Sequence, residues 1–149
     1  KAVLCSVQRD WFMTQYEDCI VFLLSKAYQK AQGVAKQRFK PYGLTPIQHL
    51  FIEALWEEDS LTPRELGEKL ILDHATVSGI LGRMGEGGWV IKETDLEDKR
   101  CLRVCLSGRA RELGPSLFKE REQSNEEILT PFTLEEKVLL KRLLRTFKG

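Results

Sequence analysis

The segment Asp73–Gly87 combines short polar side chains with a regular apolar spacing. Its apolar residues recur at i, i+3, i+4 and i+7, which predicts a helix with one buried face: Val77, Ile80, Leu81 and Met84. Asp73 is a good N-cap for this helix. The opposite face is small and polar, and it carries His74, Thr76, Ser78, Gly79 and Gly82.

Side chains of this kind can read base edges in a DNA groove, where donors, acceptors and the thymine methyl group are presented. We expect His74, Thr76 and Ser78 to contact bases. Ala75 is expected to contact a thymine methyl group, and Gly79 to permit close approach. The alternative is an ordinary solvated helix face.

The residues on either side of this helix predict the elements that would hold it. Thr62 can cap a preceding short helix, Pro63 suits its first position, and Glu65 can reach back to the cap. Two apolar runs follow the second helix and enclose the polar loop 95–100, which predicts a two-stranded ribbon with a charged tip. Helix, corner, helix and ribbon form the layout of a winged helix-turn-helix, whose second helix enters the major groove.

Several cations are placed to bind a nucleic-acid backbone or a narrow groove. Arg100, at the tip of the ribbon, is a candidate for a narrow minor groove, where the potential is strongly negative. Lys92, Lys99 and Arg103 are candidates for phosphate contacts, which position a protein without specifying sequence. Thr62 and Arg64 add a possible anion contact at the start of the first helix of the pair. The alternative for the tip is a mobile charged loop.

The overall charge does not by itself indicate a nucleic-acid partner. The 149 residues carry a net charge of +1, and residues 62–105 hold seven Lys/Arg against eight Asp/Glu, a balance of −1. DNA binding would therefore depend on where the charges are placed. The same balance favours a second interpretation, a winged helix that binds protein.

Composition limits the compartment and excludes some chemistry. No apolar run approaches the roughly 20 residues that span a bilayer. The four cysteines, Cys5, Cys19, Cys101 and Cys105, form no metal-ligand spacing, which indicates free thiols in a reducing cytoplasm. No catalytic set and no phosphate-binding glycine loop is present, so we expect neither an enzyme nor a cofactor.

The flanking segments read as amphipathic helices. One is predicted from 15 to about 40, ending before Pro41, and the next is capped by Thr45 with a buried stripe of Ile47, Leu50, Phe51, Ala54 and Leu55. Ser107 can cap a helix that Gly114–Pro115 kinks or breaks. Thr133 and Glu136 open the last helix. A small reader cannot cover this apolar surface, so pairing with a second copy is expected.

Taken in order, these segments resemble the MarR family of transcriptional regulators. The segments that carry the resemblance are GLTPIQ at 43–48, LTPRELG at 61–67, DHATVSGIL at 73–81, GWVIK at 88–92 and DLEDKR at 95–100, closed by Leu106–Ser107. Trp89 and Lys92 stand where the family often has Leu and Arg, and Lys99 where its wing commonly has a first Arg.

The resemblance implies a mainly α fold with a small β-wing (α+β). It implies one domain over 1–149, with a DNA-binding core at about 44–107 and dimerisation helices at about 15–40 and 108–149. The expected partners are double-stranded DNA with a pseudo-palindromic operator and a second copy of the chain. The expected role is that of a bacterial regulator, usually a repressor.

The resemblance also implies roles for single residues. Asp98 would brace the wing through a nearby arginine. Relatives often bind small aromatic or phenolic ligands between the dimer helices and the reader, where Tyr16, Tyr42, His49 and Trp56 could line a pocket, although aromatic residues more often form core. Some relatives sense hydroperoxides through one cysteine of the first helix. Cys19 is the candidate here, and we expect it instead to be a buried structural residue.

Overall fold

The computed structural model describes residues 16–95 and 101–148. These residues form a mainly helical fold with one two-stranded antiparallel sheet, which confirms the expected fold class. The elements are α1 (Ile20–Phe39), a 3-10 turn (Lys40–Tyr42), α2 (Pro46–Glu57), α3 (Pro63–Leu70), α4 (His74–Glu86), β1 (Val90–Thr94), β2 (Leu102–Leu106), α5 (Gly108–Leu129) and α6 (Leu134–Lys148). They divide into a core unit, residues 36–126, and an end unit made of the described residues before 36 and after 126.

The helices of the core unit begin where the sequence predicts. Gln48 N donates to Thr45 Oγ1 at 3.4 Å, and Thr45 N donates to Gln48 Oε1 at 2.8 Å. Thr62 and Glu65 repeat this arrangement at 3.2 and 2.7 Å. Each box satisfies two backbone donors that a helix start would otherwise leave without partners. The two predicted capping boxes are therefore confirmed.

The pair α3 and α4 is held by a close contact at its corner. A Cβ added to Gly67 would lie 3.0 Å from Leu72 O and 3.3 Å from Val77 Cγ2, so a larger residue there would have to push these neighbours outward by a few tenths of an ångström. The predicted apolar face of α4 is buried as expected, at Val77, Ile80, Leu81 and Met84. This packing fixes the opposite face of α4 toward solvent.

The ribbon follows α4 directly. β1 pairs with β2 in a register that runs from Val90 opposite Leu106 to Thr94 opposite Leu102. Val104 N also donates to Leu61 O at 2.8 Å, which attaches the ribbon to the segment before α3. The tip of the predicted wing, residues 96–100, lies outside the described residues.

One expectation about the helices was wrong, and one of the two alternatives left open at Gly114–Pro115 is excluded. Leu50 was expected in the buried stripe of α2 but is 42% exposed, because the face that meets the core is turned toward Ile52, which is fully buried. The break and restart considered at Gly114–Pro115 does not occur, since α5 is one helix from Gly108 to Leu129. Proline removes a single backbone donor there, and packing of the helix on both sides of it keeps α5 continuous.

The end unit consists of most of α1, the last residues of α5, and α6. Thr133 N donates to Glu136 Oε2 at 2.8 Å, which confirms the capping box predicted for the last helix. Its apolar side chains are largely exposed, and they include Ile20, Val21, Leu23, Leu134, Val138, Leu143 and Phe147. Among the described helices, none combines the length and the apolar character that a membrane crossing requires.

Candidate nucleic-acid interface

The polar face of α4 is open to solvent over its whole first half. His74, Ala75, Thr76, Ser78 and Gly79 are all exposed, as a groove-reading helix requires. No atom of the described residues lies within 4 Å of a Cβ added to Gly79, so none of residues 16–95 and 101–148 covers this face at its thinnest point. The structure thus brings together the five residues singled out on this helix.

Asp73 shapes the start of that face. Its Oδ1 accepts a hydrogen bond from Thr76 N at 2.9 Å, and its Oδ2 accepts one from Thr76 Oγ1 at 2.6 Å. The Thr76 hydroxyl bond is the main reason why the pKa of Asp73 lies below its usual value. Because the Thr76 hydroxyl already donates its proton, it presents acceptor lone pairs outward, which suits a base amino group.

The start of α3 offers less to an anion than the sequence suggested. The backbone N–H groups of Thr62 and Glu65 are both engaged in the capping box, and the Glu65 carboxylate lies at the helix start. Arg64 remains accessible, since its side chain is 86% exposed and pairs with Glu68 at 2.9 Å. A phosphate contact from this helix would therefore come from the Arg64 guanidinium.

The wing residues fall into three groups. Lys92 lies exposed on β1. Asp98, Lys99 and Arg100 lie outside the described residues, so their expected roles stay predictions. Arg103, expected to contact phosphate, has several partners within the protein: Nε donates to Asp95 Oδ2 at 2.7 Å and a terminal nitrogen donates to Ser60 O at 3.0 Å.

The expected ligand-pocket residues are placed differently from one another. His49 is buried, with its ring stacked on Phe39 at a centroid distance of 4.2 Å. Trp56 is 42% exposed and meets Phe118 edge-on at 5.0 Å. Tyr42 is half-buried at the end of the 3-10 turn, whereas Tyr16 belongs to the end unit, where its ring meets Phe22.

A small cavity lies beside Trp56 in the core unit. It has a volume of about 190 Å³ and is lined by Glu53, Trp56, Glu57, Phe118 and Arg121. Arg121 pairs with Glu53 at 3.1 Å. His49 Nε2 lies 3.9 Å from Glu53 Oε1 and has no hydrogen-bond partner among the described residues.

Burial dominates the acid–base properties of this cluster. Desolvation, followed by the positive charge of Arg121, lowers the pKa of His49 to about 4, so the imidazole is neutral at pH 7. Desolvation also raises the pKa of Glu53, against the opposing effect of Arg121. The cavity therefore presents two carboxyl groups, one guanidinium and two aromatic rings, a mixture that suits a small planar polar molecule.

The expectation of a buried Cys19 was wrong. Cys19 is exposed, directly before the first turn of α1, because the residues around it face solvent in the end unit. Cys101 and Cys105 are half-buried on β2. Within the described part of the chain, no group of histidine, cysteine and carboxylate side chains is arranged to hold a metal ion.

Several interacting residues were not found from the sequence. Glu53 and Arg121 are 68 positions apart, and nothing local links them. Arg109 lies over the Trp89 ring, 4.3 Å from its centroid. The pairing of Asp95 with Arg103 could have been predicted from the ribbon. Its register puts Glu93 opposite Arg103, which makes Asp95 the diagonal neighbour of Arg103.

A helix pair with an exposed polar second helix, followed by a two-stranded ribbon, defines the winged helix-turn-helix class of protein. A sequence model of the MarR family matches residues 42–100. Over this segment the chain is similar to the MarR family of transcriptional regulators.

Individual proteins show the same similarity. The organic hydroperoxide resistance transcriptional regulator of Bacillus subtilis is 33% identical over 95 residues, which are 61% of this chain and 62% of that protein. The chain thus spans less than two thirds of that relative. A solved protein described as a "probable transcriptional regulator from Pseudomonas aeruginosa" is 28% identical, with a TM-score of 0.84 over 89% of this chain and 98% of the other.

A further solved structure shares the fold. BpsR of Bordetella bronchiseptica, whose DNA binding is described as regulated by 6-hydroxynicotinic acid, is 23% identical. It superposes with a TM-score of 0.84 over 90% of this chain and 96% of that chain.

Proposed function

We propose that this protein is a sequence-specific DNA-binding repressor that binds a pseudo-palindromic operator as a homodimer and is released by a small ligand. The observation that carries the proposal is the uncovered, short-chained polar face of α4 beside a two-stranded wing. We propose neither a catalytic activity nor a cofactor for this protein. We place it in the cytoplasm, because its DNA operator is found there.

The base-reading part of the proposal rests on chemistry at the start of α4. Thr76 and Ser78 offer hydroxyl oxygens, His74 offers a ring nitrogen, and Ala75 offers a methyl group, all from the exposed face. Each can meet a base edge in the major groove. Gly79 allows the helix to approach the groove floor closely.

Backbone contacts would orient the reader on the duplex. We assign this role to Arg64, Lys92 and Lys99, with Arg100 in the minor groove and Asp98 bracing the wing. Thr62 contributes by fixing the start of α3. We assign no phosphate contact to Arg103, because its guanidinium already donates to Asp95 Oδ2 and to Ser60 O.

The homodimer is supported by exposed apolar surface in the end unit. Large apolar side chains of α1 and α6 face solvent, among them Val21 at 70%, Leu134 at 73% and Phe147 at 72% exposure. Exposed apolar surface of this extent is typical of an interaction site. Two copies also match the two half-sites of a palindrome.

Release by a small aromatic or phenolic effector is the regulatory part of the proposal. It is supported by the cavity beside Trp56, whose volume of about 190 Å³ can hold one aromatic ring. The solved relative whose DNA binding is regulated by 6-hydroxynicotinic acid offers a parallel. The effector would act by favouring a spacing of the two reading helices that does not fit the operator.

A thiol-based redox regulator is the second candidate. The exposed thiol of Cys19 favours it, as does the similarity to a regulator of organic hydroperoxide resistance. Oxidation to a sulfenic acid would then weaken DNA binding. Under this alternative, Cys19→Ser keeps operator affinity but abolishes its loss under an organic hydroperoxide, whereas Cys105→Ser, the matched control, stays sensitive.

Salt dependence separates DNA binding from a protein-interaction module. We expect the affinity for duplexes selected from a random pool to fall steeply between 50 and 200 mM salt, because phosphate contacts release counterions. Sedimentation should give twice the chain mass. A salt-independent interaction or a monomer would contradict the proposal.

A further inference from the structure

We infer that Arg103 is a positioning residue that fixes the base of the wing to the start of α3, and that it does not contact phosphate. The inference rests on the proposed DNA-binding function. It assigns to Arg103 an effect on DNA affinity that is transmitted through other residues.

Arg103 joins three segments through one guanidinium. Nε donates to Asp95 Oδ2 at 2.7 Å, at the end of β1. The terminal nitrogen Nη1 donates to Ser60 O at 3.0 Å, in the loop before α3, and lies 3.5 Å from Glu65 Oε2, in the first turn of α3. The planar fork of arginine suits such simultaneous contacts, which a lysine ammonium cannot reproduce in the same geometry.

The surroundings of Arg103 disfavour a further anion. Two carboxylates and a carbonyl already face its guanidinium, and its side chain is 34% exposed. A phosphate would have to displace Asp95 or approach two carboxylates. Arg64 offers a contrast, since its side chain is 86% exposed and pairs with Glu68 of its own helix at 2.9 Å.

The position of Asp95 explains how the Arg103 contacts can affect DNA binding. Asp95 N donates to Cys101 O at 2.9 Å, and this bond closes the ladder at the point where the wing tip begins. Arg103 ties that point to α3, and α3 packs closely against α4, with Leu66 and Val77 both fully buried. The base of the wing is thereby held at a fixed place relative to the reading helix, which lowers the cost of inserting both into adjacent grooves.

A double-mutant cycle with Arg100→Ala tests the inference on the intact protein and a selected operator duplex. In the wild-type background, Arg103→Ala should weaken binding about tenfold, whereas in the Arg100→Ala background it should add little, because no tip contact remains to be positioned. Asp95→Ala, which removes the acceptor of the Arg103 Nε bond, should reproduce part of the Arg103→Ala loss. Arg64→Ala is the matched control, and its loss should add fully to that of Arg100→Ala.

Salt titration and a charge-conserving variant supply the second readout. Arg103→Lys should bind as weakly as Arg103→Ala, and both should keep the wild-type slope of affinity against salt; Arg64→Ala should lower that slope by about one. Additive losses, a reduced slope for Arg103→Ala, or restored affinity in Arg103→Lys would overturn the inference. Absence of any salt-dependent duplex binding by the wild type would instead overturn the proposed function.

Discussion

The guanidinium carbon of Arg109 lies 4.3 Å from the centroid of the Trp89 ring, and Arg109 also donates a hydrogen bond to Gly87 O at 2.9 Å. Arg109 belongs to the first turn of α5, and Gly87 is the C-cap of α4. Trp89 is only 3% exposed. The pair therefore clamps the end of α4 and the start of the wing to α5, and it gives a structural reason for tryptophan at a position where the family often has leucine.

Removal of this clamp should lower stability. Arg109→Ala loses a cation–π contact and a hydrogen bond, so we expect the free energy of unfolding to fall by about 1–2 kcal/mol. Urea unfolding at a fixed chain concentration measures it. In a Trp89→Leu background the same substitution should cost clearly less, and an equal cost in both backgrounds would contradict the clamp.

The close contact between Trp56 and Gly114 predicts that adding one methyl group at position 114 destabilises the protein. A Cβ on Gly114 would lie 2.3 Å from Trp56 Cζ3 and 2.7 Å from Cη2, so Gly114→Ala must displace the indole. We expect a loss of about 1–3 kcal/mol in the free energy of unfolding, as overpacking usually costs.

Two controls make that prediction specific. Trp56→Ala should remove most of the cost of Gly114→Ala, because the space is then free. Gly33→Ala, a glycine within α1 with nothing within 4 Å of its added Cβ, should be neutral or stabilise the helix. A destabilised Gly33→Ala, or no rescue by Trp56→Ala, would show that the effect does not come from this contact.

The buried His49 predicts a loss of stability in acid. Its pKa is 6.5 in an ordinary environment and about 4 in the folded protein. Between these values the unfolded chain binds a proton that the folded chain does not, so stability falls as the pH drops from about 6.5 toward 4. Glu53 acts in the opposite direction, because burial raises the pKa of its carboxyl group.

The His49 contribution can be isolated by substitution. Between pH 7 and pH 5 the wild type should lose about 2 kcal/mol more of its unfolding free energy than His49→Gln, which cannot titrate. Urea unfolding at the two pH values provides the comparison. Equal losses in the two proteins would contradict the assignment of a neutral buried imidazole.

Interactions between residues close together in the sequence were predicted, whereas those between distant residues were not. The capping residues Thr45, Thr62 and Asp73 each bond a residue three positions away, so their patterns were visible in the sequence and the helix starts were predicted. Arg103 reaches Ser60, which is 43 positions away, and its several protein partners were not predicted.

Burial was predicted where periodicity decides it and missed where packing does. The α4 face was correct because its apolar residues recur at helical spacing. The predicted burial of Leu50 and Cys19 was wrong. Burial at these two positions depends on how α2 and the start of α1 pack in the fold, which no local sequence pattern reports. The five exposed residues of the candidate interface were found because exposure there follows from the same periodicity.

The central claim is that the exposed face of α4 reads base edges. Selection of bound sequences from random duplexes, repeated with His74→Ala, Ser78→Ala and Arg64→Ala, tests it most directly. The account predicts that His74→Ala and Ser78→Ala each relax the base preference at a pair of two-fold-related positions, while Arg64→Ala weakens all sequences alike. Unchanged preferences in the two α4 variants, or no enriched sequence for the wild type, would contradict it.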